Sequence, residues 1–190
     1  LSTPHATPAP RVSVVIASYR HAAYVRDCLA SVLEQSFQDF EIVITDDGSG
    51  DGTVEAIRSV ADPRIRLEVL PANRGACVAL NRGLRRALQA DPKVLLAGED
   101  IGKLGGVFRI TEGLQDEFGE NRVVDSPLAE SGIIGTAVGL CMRGYRPVVE
   151  IQFDGFVFPG FSQIVTQVAK LHMRTGGHTT MPMVIRIPYG

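Results

Sequence analysis

Apolar and β-branched runs alternate with helical apolar patterns along the first hundred residues of the chain. Strands are predicted at four such runs, residues 12–17, 41–45, 65–70 and 94–97, and the continuous apolar runs at 12–17 and 94–97 are typical of buried parallel strands. Apolar residues recur at three- and four-residue spacing within residues 22–35 and again within residues 73–90, which predicts helices between the strands. This alternation predicts an α/β fold with a parallel, doubly wound, Rossmann-like sheet, in which ligands bind at the carboxyl ends of the strands.

The helix predicted at residues 73–90 continues the alternation of strands and helices that is predicted on both sides of it. Its apolar residues lie on one helical face, and Asp91-Pro92 ends it before the run at 94–97. The alternation then continues, with strands predicted at residues 122–125, 147–151 and 183–187 and helices at residues 131–142 and 161–174. We therefore expect residues 11–100 to form one continuous parallel sheet, with 94–97 as its fourth strand.

Composition and charge narrow the classes of function. A hydrophobic fraction of 45% and a formal net charge of −2 give no electrostatic reason to expect nucleic acid or a membrane as partner, so we expect a small-molecule substrate. The longest apolar stretch, residues 132–142, is too short to span a bilayer. Cys28, Cys77 and Cys141 are odd in number and far apart, which predicts free thiols in the cytoplasm. The four histidines show no metal-ligand spacing.

Two polar clusters follow predicted strands of the first half, Ser18-Tyr19 and Asp46-Asp47. Here the chain resembles the opening of a family 2 glycosyltransferase of the GT-A fold, on the segment VSVVIASYRHAAYVRDCLASVLEQSFQDFEIVITDDGSGDGT followed by NRG. The resemblance covers about residues 11–88. It implies that Ala17 and Tyr19 hold the base of a nucleotide-sugar and that Asp47 accepts a hydrogen bond from that base. The alternative for the two aspartates is a turn that caps a helix.

The first half also departs from the glycosyltransferase pattern. Leu80 stands where the family usually has a basic residue, and the metal-binding DxD motif has no true match. Glu99-Asp100 lies where such a pair would project, so two interpretations stay open. These residues either replace the missing motif, with a nucleotide-sugar and a divalent metal as ligands, or are acidic residues that open a loop.

The second half resembles a different family, on LLAGED, GKLGGVF and the segment RITEGLQDEFGENRVVDSPLAESGIIGTAVGLCMRGYRPVVEIQF. The resemblance is to the amino-terminal part of the beta subunit of a thiamine-dependent 2-oxo acid dehydrogenase, for pyruvate or branched-chain acids. It covers about residues 80–190 and implies a transketolase-type pyrimidine-binding domain. It further implies thiamine diphosphate as cofactor and an alpha subunit as partner, which holds the diphosphate and magnesium.

Glu130, within DSPLAESGIIGTA, is the candidate catalytic residue. The resemblance implies that its carboxyl hydrogen-bonds the N1′ nitrogen of the cofactor's aminopyrimidine and so promotes loss of the thiazolium C2 proton. A carboxyl in an apolar site has the raised pKa that this role needs. The alternative is an interaction with the dipole of the following helix. By the same motif Leu128, Gln152 and Phe156 line the pyrimidine pocket, and their alternative is core packing.

The chain therefore divides into a flexible tail at residues 1–10, a glycosyltransferase-like half at 11–90 and a partial thiamine-binding domain at 91–190. Three functions remain open. The chain is a partial beta subunit that is inactive alone, a nucleotide-sugar binder, or a folded chimera without function. Gene fusion, design and misassembled sequence are equally compatible with such a composite.

Overall fold

Two separate parallel sheets organise the chain, one in each of two units that divide between Gly83 and Leu84. The computed structural model describes residues 12–188, so the predicted tail at residues 1–10 lies outside the described residues. The division falls inside one helix, α3 (Ala76–Ala90), and the predicted division between residues 90 and 91 falls at the end of the same helix. The predicted α/β class with parallel sheets is confirmed.

The first unit carries a three-stranded sheet in the order β1-β2-β3. Its elements are β1 (Val12–Ser18), α1 (Val25–Leu33), β2 (Phe40–Asp46), α2 (Thr53–Arg58) and β3 (Ile65–Val69), followed by the start of α3. The central strand β2 is buried because its side chains alternate between two covered faces, and Ile42 and Ile44 are fully buried. Leu29 of α1 and Ile57 of α2 pack on this strand and complete the core of the unit.

The second unit carries a four-stranded parallel sheet in the order β5-β4-β6-β7. Its elements are β4 (Val94–Gly98), α4 (Leu114–Phe118), β5 (Val123–Asp125), α5 (Glu130–Met142), β6 (Arg146–Glu150), α6 (Val157–Gln163), α7 (Leu171–Arg174) and β7 (Val184–Arg186). The core around β4 contains Leu96, Val123 and Leu88, and the last of these comes from the final turn of α3. On the other side of the sheet, Ala137 of α5 packs with Val149 of β6.

The prediction of one continuous sheet over residues 11–100 is wrong. Strand β4 pairs with β5 and β6 and with no strand of the first unit among the described residues. An apolar run buried on both faces identifies a central strand, but its pattern carries no information about which strands flank it. The neighbours are decided by long-range packing, in which Leu96 lies opposite Val123 on one side and Val148 on the other.

The helical segment predicted at residues 161–174 is longer and less regular than expected. Helix α6 begins at Val157, and a π-helical turn follows at Ile164–Val168, where the Ala169 N–H donates to the Ile164 carbonyl at 2.9 Å. Helix α7 then begins at Leu171. The apolar spacing in the sequence predicted that this segment is helical. It did not predict the change from α-helix to π-helix within the segment.

Arg122, which lies immediately before β5, caps the carboxyl end of α3. Its guanidinium donates to the backbone carbonyls of Leu88, Asp91 and Val94 at 3.0, 2.9 and 2.6 Å. The last carbonyls of a helix have no partner within the helix and carry partial negative charge. Arg122 therefore adds charged hydrogen bonds at the end of α3 and at the start of β4, where the Asp91 carbonyl also accepts from the Val94 N–H at 3.1 Å.

The three cysteines are free, and Cys141 is buried in α5, where burial raises the pKa of its thiol to about 11. Among residues 12–188, none of the helices combines the length and the apolar character needed to cross a bilayer.

Candidate functional sites

Two buried carboxyl groups meet at the carboxyl edge of the second sheet. Glu99 directly follows β4 and is 6% exposed, and Glu130 begins α5 and is 7% exposed. Because β4 and β5 are parallel neighbours, the segments that follow them emerge at the same edge. The structure thus brings the predicted catalytic residue Glu130 together with a second glutamate that the sequence offered only as a substitute metal ligand or a loop residue.

The environment of Glu99 disfavours its charge. Burial raises the pKa of the Glu99 carboxyl, and the charges of Glu130 and then Asp100 raise it further, while a hydrogen bond from the Ala129 backbone opposes the shift. The Oε1 atom of Glu99 is buried and has no hydrogen-bond partner in the described structure. Glu99 therefore keeps its proton to a higher pH than an exposed glutamate does. The unpaired oxygen is a group that a ligand can satisfy.

The loop after β4 is fixed by contacts with neighbouring strand ends. Asp100 has a left-handed backbone with φ 57°, and its carbonyl accepts from the Gly106 N–H at 2.8 Å. The Gln152 amide donates to Asp100 Oδ2 at 3.1 Å, so the predicted pocket residue Gln152 does lie at this edge. The Gly102 N–H donates to Asp125 Oδ1 at 2.6 Å. These bonds hold the residues that follow Glu99 in one conformation.

A close contact between α5 and α6 holds the backbone of Glu130. A Cβ atom at Gly160 would lie 2.6 Å from Ile134 Cδ1 and 3.2 Å from the Glu130 carbonyl oxygen. A Cβ atom there would displace the Ile134 side chain and crowd the Glu130 backbone, so glycine favours this approach of α6 to the first turn of α5. The sequence predicted Glu130 at a helix start, but the preference for glycine thirty positions later follows only from the packing.

Aromatic rings lie exposed near the same edge. Phe153 makes edge-to-face contacts with Phe108 and Phe156, with ring centroids 5.8 and 5.6 Å apart. Phe156 is 44% exposed and Leu128 is 79% exposed. Core packing within this unit therefore does not account for the two predicted pocket residues.

A buried ion pair lies at the ends of the next two strands of this edge. Glu150 at the end of β6 accepts from the guanidinium of Arg186 at the end of β7. Glu150 is 5% exposed, so this pairing is what allows its charge to remain buried. In contrast to Glu99, Glu150 already has a partner for its charge.

At the carboxyl edge of the first sheet, Ala17 and Tyr19 lie beside the two aspartates. Ala17 pairs with Thr45 and Ser18 with Asp46 in the parallel register of β1 and β2. The Tyr19 side chain is 36% exposed, and the Arg20 guanidinium lies over its ring, 5.3 Å from the centroid.

Both aspartates of this edge accept hydrogen bonds from their own unit. Asp46 accepts from the Ser49 backbone N–H at 2.8 Å and from the Ser49 hydroxyl at 2.7 Å, which organises the turn after β2. The Asp47 oxygens accept from the N–H groups of Arg74 and Gly75, each at 2.7 Å, and Asp47 is 1% exposed. Asp47 thus anchors the loop that precedes α3, a role that the sequence pattern did not reveal.

Within residues 12–188, no group of three or more histidine, cysteine or acidic side chains is placed to hold a metal ion.

Two family models match the chain. The model described as transketolase, pyrimidine binding domain, matches residues 77–190, and the model described as glycosyl transferase family 2 matches residues 13–90. Both predicted resemblances are therefore confirmed. The two matches overlap at residues 77–90, and all of these residues lie within α3.

Several curated proteins are similar to the second part of the chain. A pyruvate dehydrogenase E1 component subunit beta of Leifsonia xyli subsp. xyli is 64% identical over 137 residues, which are 72% of this chain and 40% of that protein. A 3-methyl-2-oxobutanoate dehydrogenase subunit beta of Mycobacterium tuberculosis is 57% identical over 110 residues, 58% of this chain and 32% of that protein. The chain thus spans well under half the length of these relatives.

Among solved structures, a mannosyltransferase from Pyrobaculum calidifontis in complex with GDP-Man and Mn²⁺ is similar at a TM-score of 0.39 and 21% identity. The similarity covers 75% of this chain and 55% of that one. A TM-score of this size is too low to support a functional comparison.

Proposed function

The chain belongs to the family of transketolase pyrimidine-binding domains, and we propose that its second unit is part of the beta subunit of a thiamine diphosphate-dependent 2-oxo acid dehydrogenase. The observation that carries this proposal is the buried pair Glu99 and Glu130, in which one carboxyl oxygen has no partner. A buried, unpaired carboxyl oxygen costs free energy, which a bound ligand with a donor would recover. The beta-subunit relatives support the same assignment.

The residues of this edge fit an aminopyrimidine ring. Such a ring presents nitrogen atoms that exchange hydrogen bonds with a carboxyl group and an apolar face that stacks on an aromatic side chain. The edge offers both, with Glu130 as the carboxyl and Phe156 as the exposed ring. Bound thiamine diphosphate supplies the nucleophilic carbon and the electron sink for decarboxylation.

Within this proposal the protein's own residues bind the aminopyrimidine ring, orient it and hold a proton. Glu130 hydrogen-bonds the ring nitrogen N1′, as the family resemblance implies. Glu99, whose pKa is raised by burial and by Glu130, holds its proton to a higher pH than an exposed glutamate does, which favours the state in which only one of the two carboxyls is charged. Gln152 and Asp100, joined by their hydrogen bond, fix the loop that carries Glu99.

A second polypeptide is part of the proposal because this unit offers only one side of the pocket. Leu128 and Phe156 are exposed, and an aromatic stack contributes only about 0.5 to 1.5 kcal/mol beyond area burial. Micromolar affinity requires about 8 kcal/mol. We propose that an alpha subunit, with magnesium and the diphosphate contacts, supplies the remainder, and that this chain alone does not decarboxylate 2-oxo acids. The free cysteines support the cytoplasm as its compartment.

The test measures decarboxylation of pyruvate and of branched-chain 2-oxo acids with thiamine diphosphate and magnesium, with and without the alpha subunit of a pyruvate dehydrogenase. We expect no turnover by the isolated chain. With the alpha subunit we expect cofactor binding that is weakened at least tenfold by Glu130→Gln and unchanged by Glu120→Gln, an exposed control. Turnover by the chain alone that is lost in Glu130→Gln would show that the pocket is complete. No cofactor binding in either setting would leave a folded chimera without this function.

A second candidate function is nucleotide-sugar binding by the first unit. The exposed Tyr19 beside Asp47 at a strand edge, within the segment that matches the glycosyltransferase model, supports it. We propose that Ala17 and Tyr19 contact the base and that Asp47 accepts a hydrogen bond from it. Because Asp47 is buried under the N–H groups of Arg74 and Gly75, this contact requires the loop before α3 to move when the ligand binds. Calorimetry with uridine diphosphate tests this proposal, and we expect weak binding that both Tyr19→Ala and Asp47→Ala reduce. Unchanged binding in both variants would contradict the base contacts.

A further inference from the structure

Three consecutive backbone N–H groups in the loop after β1 donate to side chains of the turn after β2 and of the first residue of α2. The Arg20 N–H donates to Ser49 Oγ at 2.8 Å, and the His21 N–H donates to Thr53 Oγ1 at 2.8 Å. The Ala22 N–H donates to Asp51 Oδ2 at 3.4 Å. We refer to Ser49, Asp51 and Thr53 as the clasp. Through it, residues more than 25 positions later hold the loop that carries Tyr19.

The acceptors of the clasp are themselves held in place. The Ser49 hydroxyl donates to Asp46 Oδ2 at 2.7 Å, so its lone pairs face the Arg20 N–H. The Thr53 hydroxyl donates to Asp51 Oδ1 at 2.5 Å, and Thr53 is fully buried. These bonds fix the direction of each hydroxyl, which lowers the entropy cost of holding the loop.

The loop adopts a conformation that it would not favour alone. Arg20 lies in the left-handed region with φ 55°, which costs a non-glycine residue free energy. The bond from the Arg20 N–H to Ser49 fixes the peptide unit between Tyr19 and Arg20, and therefore the direction in which the Tyr19 side chain leaves the backbone. Without the clasp, the loop would relax toward more favourable backbone angles.

We infer that the clasp positions Tyr19 for binding a nucleoside diphosphate. This inference rests on nucleotide binding, the second function proposed above, and adds Ser49, Asp51 and Thr53 as positioning residues of that site. The nucleotide as ligand class comes from that proposed function, and the Arg20 guanidinium, which brings positive charge to the ring of Tyr19, favours an anionic nucleotide over a neutral nucleoside. Uridine diphosphate should therefore bind more tightly than uridine.

The decisive variant is Ser49→Ala, which removes the acceptor of the Arg20 N–H. Ser49→Thr keeps a hydroxyl and is the conservative rescue. Ser59→Ala is the matched control, because the Ser59 hydroxyl donates only to the Ala56 carbonyl of its own helix at 2.7 Å. Calorimetry with uridine diphosphate measures affinity, and amide hydrogen exchange of Arg20, read by NMR, measures opening of the loop.

We expect Ser49→Ala to weaken uridine diphosphate binding about five- to tenfold and to speed Arg20 exchange by a similar factor, as the loss of one hydrogen bond predicts. Ser49→Thr should restore both quantities, and Ser59→Ala should change neither. If Ser49→Ala does not fold, Thr53→Val removes the acceptor of the His21 N–H and serves in its place.

Two outcomes overturn the inference and are distinguishable. If the wild type binds uridine diphosphate and Ser49→Ala binds it equally well while Arg20 exchanges faster, the clasp is structural only and the nucleotide site stands. If the wild type binds no uridine diphosphate, the nucleotide site itself is refuted and the inference with it.

Discussion

Replacing Glu99 by glutamine should stabilise the second unit at neutral and alkaline pH. Because the pKa of Glu99 is raised in the folded state above its ordinary value, the folded protein binds the proton more tightly than the unfolded chain does. Wild-type stability is therefore greatest below the ordinary pKa and is lost as the pH rises through the raised folded-state pKa. Glu99→Gln removes this loss, since an amide does not ionise.

The expected size of the stability gain follows from the hydrogen bond that the charged Glu99 carboxyl lacks. Glu99 is 6% exposed, and one of its oxygens has no partner. A buried polar group without its hydrogen bond costs about 1 to 3 kcal/mol. Glutamine retains a polar amide at the same place, so part of this cost persists. We expect a net gain of about 1 kcal/mol at pH 8, or about 2 to 4 °C in Tm for a chain of this size.

Urea unfolding followed by circular dichroism, at several pH values between 4 and 8, measures this difference. Glu120→Gln, at an exposed position before β5, is the matched control and should leave the free energy of unfolding unchanged at every pH. A Glu99→Gln variant that is less stable than wild type at pH 8 would refute the reasoning. A gain of equal size at pH 4 and pH 8 would also refute it, because the effect would then not come from ionisation.

Two further predictions concern arginines. Arg122→Ala should destabilise the second unit by about 3 kcal/mol, because the backbone carbonyls of Leu88, Asp91 and Val94, between the last turn of α3 and the start of β4, lose a charged donor. Arg146→Ala, which loses an exposed ion pair with Asp91, should cost less than about 1 kcal/mol. Equal losses in urea unfolding would contradict the capping role. Arg20→Gly should stabilise the first unit by about 0.5 kcal/mol, because glycine relieves the left-handed strain and loses only a weak cation–π contact. A lower Tm in that variant would show that the strain is not relieved.

The strands were predictable because a continuous apolar run is a local pattern, although β1 is only partly buried. The runs at residues 12–17 and 94–97 became β1 and β4 with an added residue at the carboxyl end. Pairing was not predictable in the same way. Strand β4 joins β5 and β6 through contacts at separations of more than 25 residues, and no local pattern records them.

The candidate site shows the same limit. Glu130 was predicted at the start of a helix from a family motif, and the structure places it there, buried. From the sequence, Glu99 could be identified only as an acidic residue that follows a strand. A signal did exist, since the ends of neighbouring parallel strands share an edge, but using it required knowing that β4 and β5 are neighbours.

Helix α3 has a practical consequence for any attempt to study the two units separately. The division between Gly83 and Leu84 would cut its 15 residues into segments of eight and seven, and isolated helices shorter than about 12 residues are marginal in water. The first segment contributes Gly83, which lies against Val15 too closely for a Cβ atom, and the second contributes Leu88 to the other core. Each unit thus requires residues of a helix that it cannot form from its own share. Dissection of this protein therefore calls for two overlapping fragments, each of which carries the whole of α3.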